Sequence, residues 1–176
     1  MIPTGPNVDE PYDPDFYRNS LWFDIWSPDG PGVFCLDREE LMAAAQARWG
    51  DAVAMYVAPV VWSLSIDVRQ PGGQDFEIYL AWDRQSVSLA MLTDDDVAEP
   101  AAWIRSLLPA EPGGRIWIIR GDLACHADLP AGITADQVRK SWIYHENPTT
   151  DIWQLKPREG LGMNARLSGE SHGENP

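Results

Sequence analysis

Three short segments with alternating apolar and polar residues follow one another in the middle of the sequence, with only turns between them. Residues 61–69 (VWSLSIDVR), 75–83 (DFEIYLAWD) and 86–92 (SVSLAML) place apolar side chains at every second position. This period predicts β-strands with one buried face. The connections are too short for parallel neighbours, because a parallel return needs a crossover of a dozen residues or more. The sequence therefore predicts an antiparallel meander.

One helix is predicted before this meander and one after it. Asp37 and Glu40 have the spacing of a capping box, the residues that follow are strong helix formers, and Gly50 supplies a left-handed stop. Residues 100–109 (PAAWIRSLLP) begin with a proline suited to a first helical turn and carry an apolar stripe. Both segments are long enough to cover part of a sheet.

A hairpin and a third helix are predicted farther along the chain. Residues 115–120 and 123–129 are apolar segments separated by a two-residue turn. Thr134 and Gln137 form a capping box that opens a helix running to about Tyr144. Helices collected on one face of an antiparallel sheet make an α+β fold. We therefore expect an antiparallel meander of about five strands with helices packed mainly on one face.

The two ends of the sequence differ from its centre. Residues 1–20 contain several prolines and acids without periodicity and predict an irregular arm. Residues 21–26 (LWFDIW) predict an edge strand or a strap across the core. A single α+β domain is expected over 21–145. The remaining residues, 146–176, are rich in Pro, Gly, Asn and Ser and predict a flexible tail.

The charge balance restricts the partners that such a domain can bind. Acidic residues outnumber basic ones by 27 to 13, which gives a net charge of -14. A surface of this kind repels phosphate backbones and anionic membranes and speeds encounter with basic partners. We expect neither direct nucleic-acid binding nor membrane binding. No apolar run approaches the ~18 residues that cross a bilayer, and no signal-peptide pattern begins the sequence, so a cytoplasmic location is predicted.

The acidic excess is concentrated in residues 71–100, where seven acids stand against one arginine. Three of these acids are consecutive and directly precede the second predicted helix, where acids ordinarily complement the positive end of a helix. The excess is larger than capping requires. The other interpretation is a surface that binds a basic protein partner, formed by Asp75, Glu77, Asp83, Asp94, Asp95, Asp96 and Glu99.

Cys125 and His126 carry the side chains of a nucleophile and a base. A strand over 123–128 would point them to opposite faces, whereas a nucleophile and its base must share a hydrogen bond. We therefore expect no catalytic dyad, with Cys125 in the core and His126 facing water. Cys35 is likewise predicted to be a reduced core thiol. Too few histidines accompany these residues for a zinc site, so no metal is expected.

Tryptophan and glycine patterns point away from ligand chemistry. Of the nine tryptophans, Trp62, Trp82, Trp103 and Trp117 fall within amphipathic elements, where packing in the core is expected. Neither glycine-rich segment has the layout of a nucleotide-binding loop, and the motifs G-x-S-x-G and H-E-x-x-H do not occur. The sequence predicts no cofactor and favours a binding protein over an enzyme.

The architecture and charge predicted for residues 21–145 resemble those of the immunity proteins that bacteria keep beside polymorphic or contact-dependent toxins. The shared features are an acidic α+β domain, a Trp-rich antiparallel meander and an acidic segment between sheet and helix. The resemblance implies tight, non-catalytic binding that blocks a secreted toxin domain with a basic active-site groove. It assigns no functional residues.

Two other functions fit the same pattern. One is a small enzyme or small-ligand-binding domain with a pocket between sheet and helices and a polar site formed by Tyr79, His126 and Asp128. The other is a regulatory or structural adaptor.

Overall fold

The computed structural model describes residues 22–57 and 62–146. The arm predicted for 1–20 and all but the first residue of the tail predicted for 146–176 lie outside the described residues. Within the described residues, no helix is long and apolar enough to cross a membrane.

One antiparallel sheet organises the chain. It has eight strands in the order β2-β3-β4-β5-β1-β6-β7-β8, and every neighbouring pair is antiparallel. The meander β2 to β5 and the shorter meander β6 to β8 are therefore joined by β1, which lies between them. The strands are β1 (Trp22–Trp26), β2 (Val53–Tyr56), β3 (Leu64–Val68), β4 (Phe76–Leu80), β5 (Val87–Ala90), β6 (Trp117–Arg120), β7 (Cys125–Asp128) and β8 (Ile143–Tyr144).

Three α-helices accompany the sheet: α1 (Arg38–Trp49), α2 (Ala98–Leu107) and α3 (Ala135–Lys140). The Asp37 carboxylate caps α1 by accepting the backbone N–H groups of Glu39 and Glu40. At the other end of α1, Gly50 has a φ of 55°, a positive angle that glycine adopts more readily than other residues. The capping box predicted at Thr134 is present at the start of α3.

The α+β class and the antiparallel sheet are confirmed, but the prediction of about five strands was wrong. The sequence pattern missed β2 and β8, which lie at the two edges of the sheet. The strand β1 is central, not an edge strand or a strap, because it pairs with both β5 and β6. The third helix ends at Lys140 instead of Tyr144, since the chain turns at Ser141 and pairs with β7 as β8.

The core lies between the helices and one face of the sheet, here called the first face. Buried residues of all three helices and alternate residues of the strands form a single apolar cluster. Strands β3 and β4 show the underlying pattern, because their first, third and fifth residues are buried and the residues between them are half-buried. On the central strand the same alternation buries Phe23 and Ile25.

Several predictions about the core require correction. Trp82 is 52% exposed, because β4 ends at Leu80 and leaves Trp82 in the turn that follows. Cys35 is exposed, because it alternates with Phe34 and Leu36, whose side chains are the ones that enter the core. Trp117 is buried, but it lies on the opposite face of the sheet, since it pairs with Trp26 and is not part of the apolar cluster. Trp62 and Trp103 are half-buried, and Trp103 packs against the cluster.

Candidate functional site

The second face of the sheet, opposite the helices, carries polar and aromatic side chains. Paired residues of neighbouring antiparallel strands project to the same face, so the register shows which side chains lie side by side. One row crosses the sheet from β3 to β7 on this face. Its members are Ser65, Tyr79, Ser88, Asp24, Ile119 and His126.

An aromatic cluster, formed by Trp22, Trp62 and Tyr79, lies on the second face. The rings of Trp22 and Tyr79 are stacked with centroids 5.2 Å apart, and Trp62 lies 5.9 Å from Trp22 and 5.4 Å from Tyr79. Trp22 belongs to β1 and Tyr79 to β4, which are separated by β5. The residues of β5 on this face, Ser88 and Ala90, are small and buried, so the rings from both sides meet above them.

The Asp24 side chain accepts hydrogen bonds from this aromatic cluster and from strand β5. Its Oδ1 atom accepts hydrogen bonds from the Trp22 indole Nε1 at 3.0 Å and from the Ser88 hydroxyl at 2.5 Å. The Oδ2 atom receives no hydrogen bond from the part of the chain that the structure describes, and Asp24 forms no ion pair with those residues. One carboxylate oxygen therefore keeps its capacity to accept a hydrogen bond.

A groove of about 610 Å³ lies on the second face beside the aromatic cluster. Its lining combines apolar side chains with two carboxylates. One of these, Asp24, belongs to β1, the central strand of the sheet. The apolar lining includes Trp26, Pro31, Trp62 and Ile119, and the polar lining includes Asp24, Asp83, Gln85 and the hydroxyls of Ser27, Ser86 and Ser88.

Two contacts fix the loop that borders the groove after β1. Asp29 forms a salt bridge with Arg115 at 2.9 Å and also accepts the backbone N–H of Arg115 at 2.7 Å. The hydrogen bond from the Arg115 side chain lowers the pKa of Asp29. Farther along the loop, the backbone N–H of Gly32 donates to the side chain of Gln85 in the turn between β4 and β5. The groove is therefore bordered by anchored segments.

Two further carboxylates flank the aromatic cluster. Asp67 and Glu77 are direct neighbours across β3 and β4, an arrangement of like charges that destabilises a sheet. Burial and the charge of Glu77 raise the pKa of Asp67. The Tyr79 hydroxyl donates to Glu77, and burial together with this hydrogen bond raises the pKa of Tyr79. The second face thus places negative charge beside half-buried aromatic rings.

The acidic residues predicted to bind a partner are divided among separate regions. Glu77 lies on the second face, and Asp83 lines the groove. Asp75 is paired with Arg69 in the turn between β3 and β4, at 3.4 Å. The structure therefore connects only part of this set to the groove and the aromatic cluster.

The remaining acids lie near α2 and contact other side chains. Asp94 forms a salt bridge of 3.0 Å with Arg120. Asp96 accepts a hydrogen bond from the Thr93 hydroxyl at 2.6 Å, and Glu99 pairs with Arg48 at 3.3 Å. The side chain of Asp95 is exposed, while its backbone carbonyl accepts from Arg139. At the start of α2, Val97 is the N-cap, and no side chain supplies a capping hydrogen bond there.

Tyr79, His126 and Asp128, the alternative polar site, share the second face without coming together. Tyr79 is on β4 and the other two are on β7, with β5, β1 and β6 between them. Four strand spacings of ~4.8 Å separate β4 from β7. A second cavity, of about 400 Å³, lies on the helix side and is lined by residues of all three helices and of the turn between β3 and β4, including Arg48, Trp49, Gln74, Glu99 and Arg139.

His126 is buried, with 2% of its surface exposed, so the prediction that it faces water was wrong. Its Nδ1 lies 2.7 Å from Nε2 of His145, and Nδ1 of His145 lies 2.6 Å from the Leu123 carbonyl oxygen. A carbonyl only accepts, so neutral His145 carries its proton on Nδ1 and accepts from His126. Burial, and then the charge of His145, lower the pKa of His126.

Cys125 is buried on the first face, as predicted, and His126 projects to the second. Burial raises the pKa of the Cys125 thiol to about 11, which keeps it protonated at neutral pH. The two side chains do not form a nucleophile and base pair. No cluster of three or more His, Cys, Asp or Glu residues suited to a metal ion occurs within 22–57 and 62–146.

Comparison of this chain with protein-family models, curated proteins and solved structures gives no match.

Proposed function

We propose that this protein is a non-catalytic binding domain that docks a basic protein partner on the second face of its sheet. The partner proposed is a secreted toxin domain with a basic active-site groove, which the bound domain blocks as an immunity protein does. The observation that carries this proposal is the groove beside the aromatic cluster, with Asp24 and Asp83 in its lining and Asp67 and Glu77 nearby.

Aromatic side chains and carboxylates supply different parts of such an interface. Tryptophan and tyrosine offer large, rigid contact areas and are enriched among the residues that dominate binding energy. Trp82, exposed in the turn beside Asp83, provides a further anchor of this kind. The carboxylates match a basic partner and raise the rate of encounter, since the whole chain carries a net charge of -14.

The distribution of charged side chains on the second face also supports binding of a basic partner. Asp67 and Glu77 repel each other across two strands, and an arginine or lysine from a partner would relieve that repulsion. Asp67 is paired with Arg69 at 3.6 Å, and Asp75, Asp94 and Glu99 also have arginine partners within the domain. Glu77 and Asp83, in contrast, form no ion pair with the described residues. We therefore place the contact at Glu77, Asp83 and the aromatic cluster, and not at the acids before α2.

The test begins with cross-linking and capture from the native host, followed by purification of the captured protein and measurement of association kinetics at two salt concentrations. Glu77→Gln combined with Asp83→Asn should slow association about tenfold at low salt and flatten the salt dependence. Asp95→Asn combined with Asp96→Asn is the matched control, because it removes the same charge near α2. If both pairs of substitutions slowed association equally, the effect would come from the net charge of the chain. The second face would then no longer be proposed as the binding surface.

A further inference from the structure

The groove on the second face has the chemistry of a site for one cationic side chain. Asp24 lies in its lining with Oδ1 held by Trp22 and Ser88, and with Oδ2 unoccupied by any donor from 22–57 and 62–146. Those two hydrogen bonds fix the orientation of the carboxylate before anything binds. A preorganised carboxylate loses little conformational entropy when it forms a charge-assisted hydrogen bond.

The walls of the groove favour a flat, delocalised cation. Trp26 and Trp62 line it together with Ile119, and tryptophan rings attract cations to their faces. Asp83 supplies a second carboxylate in the same lining. A guanidinium group stacks on aromatic rings, offers five donors and is more weakly hydrated than an ammonium group, so this combination suits arginine better than lysine.

We propose that the groove binds an arginine side chain of the basic partner, with Asp24 as its counter-ion and Trp62 as its stacking surface. This inference rests on the proposed function, and it specifies which partner residue the second face recognises. A volume of about 610 Å³ accommodates the side chain with room for neighbouring partner atoms.

The probe for this site is Nα-acetyl-L-argininamide, titrated into the full chain while the indole N–H signals of the tryptophans are followed by NMR. The Trp22 signal should move, because its indole N–H donates to Asp24. The citrulline analogue has the same shape without the charge and should bind at least ~10-fold more weakly, and the lysine analogue should be intermediate.

Asp24→Asn is the decisive variant, since asparagine keeps an Oδ1 acceptor for Trp22 and Ser88 but has no charge. It should lower the affinity for the arginine probe about tenfold. Asp51→Asn, on the exposed 3-10 turn before edge strand β2, changes the net charge equally and should leave the affinity unchanged. Trp62→Phe should weaken binding by a smaller factor and provides an independent test if Asp24→Asn perturbs the fold.

Four results would overturn the inference. Equal affinities for the arginine and citrulline probes would exclude a charge-selective site, and equal effects of Asp24→Asn and Asp51→Asn would exclude Asp24 as the counter-ion. If replacing Lys156, Arg158 and Arg166 by glutamine in the full chain tightened probe binding, a basic residue of this same chain would be the occupant. A captured partner that still binds the Asp24→Asn variant normally would leave the proposed function standing and reject only the arginine site.

Discussion

The two faces of the sheet are built from alternate residues of the same strands, yet they have opposite properties. On β1, Phe23 and Ile25 enter the apolar core, while Trp22, Asp24 and Trp26 project to the second face. The first face is covered by three helices, and its aliphatic and aromatic side chains pack against one another. The second face carries a pair of like charges and the Asp24 carboxylate, one oxygen of which receives no hydrogen bond from the described residues. The comparison separates the residues that stabilise the domain from those available to a partner.

The largest effect on stability should come from removing a buried side chain of the first face. Phe23→Ala removes a ring that is completely buried and packs against Trp142, so we expect the free energy of unfolding to fall by about 3–5 kcal/mol. Trp22→Ala, at the preceding position and on the second face, should lower the free energy of unfolding by clearly less, because the Trp22 ring is only half-buried. Urea denaturation of both variants measures the difference. Similar losses would show that the second face also contributes core stability.

The thiols provide a chemical comparison of buried and exposed positions. Cys125 has a pKa of about 11 and is buried, whereas Cys35 is exposed. Because only the thiolate reacts, Cys125 should be labelled by a disulfide reagent at least ~100-fold more slowly than Cys35 at neutral pH. The expected stoichiometry is one fast thiol per folded chain and none in Cys35→Ser. A fast reaction in the Cys35→Ser variant would contradict the burial of Cys125.

The buried histidine on the second face should make stability depend on pH. Burial lowers the pKa of His126 below its ordinary value of 6.5, so the unfolded chain binds a proton at a higher pH than the folded one. The free energy of unfolding should therefore decrease as the pH falls below about 6.5. His126→Asn retains a hydrogen-bonding side chain that does not titrate, and it should have a shallower slope between pH 5 and 7. An unchanged slope would assign the dependence to other groups.

The smallest effect should be a gain in stability on the second face. Glu77→Gln removes one of the two like charges that oppose each other on β3 and β4, and it should raise the free energy of unfolding by about 0.5 kcal/mol. The same substitution should weaken binding of the basic partner. Thermal unfolding and partner association measured on one preparation test both expectations. A loss of stability would mean that the Tyr79 to Glu77 hydrogen bond outweighs the repulsion.

Sequence patterns predict the strands and helices that form the first face well, because the residues that determine each of them lie within or next to that element. The alternation in β3 and β4 and the caps of α1 and α3 are local features, and the structure contains all of them. The edge strands β2 and β8 are short and half-buried or exposed, so they show little alternation. Their presence depends on pairing with a neighbour, which is set by the tertiary structure.

The second face could not be assembled from sequence because its neighbours are distant along the chain. Asp24 meets Ser88 only through the register of β1 with β5, and the period of either strand leaves that register open. His126 is buried beside His145 because β8 pairs with β7. The register of β1 could likewise not be predicted, but its composition indicated a central position, because a strand that is apolar at most positions is typical of a sheet buried on both faces.

The central position of β1 also determines the order in which the sheet can be completed during synthesis. The meander β2 to β5 closes through contacts between neighbours along the chain, which form rapidly. In contrast, β1 pairs with residues 87–90 and 117–120, so its second edge stays unpaired until residue 120 has been made. The first strand of the described sheet to be translated is thus the one whose two neighbours arrive late, and the emerging chain must keep its apolar residues from pairing elsewhere until then.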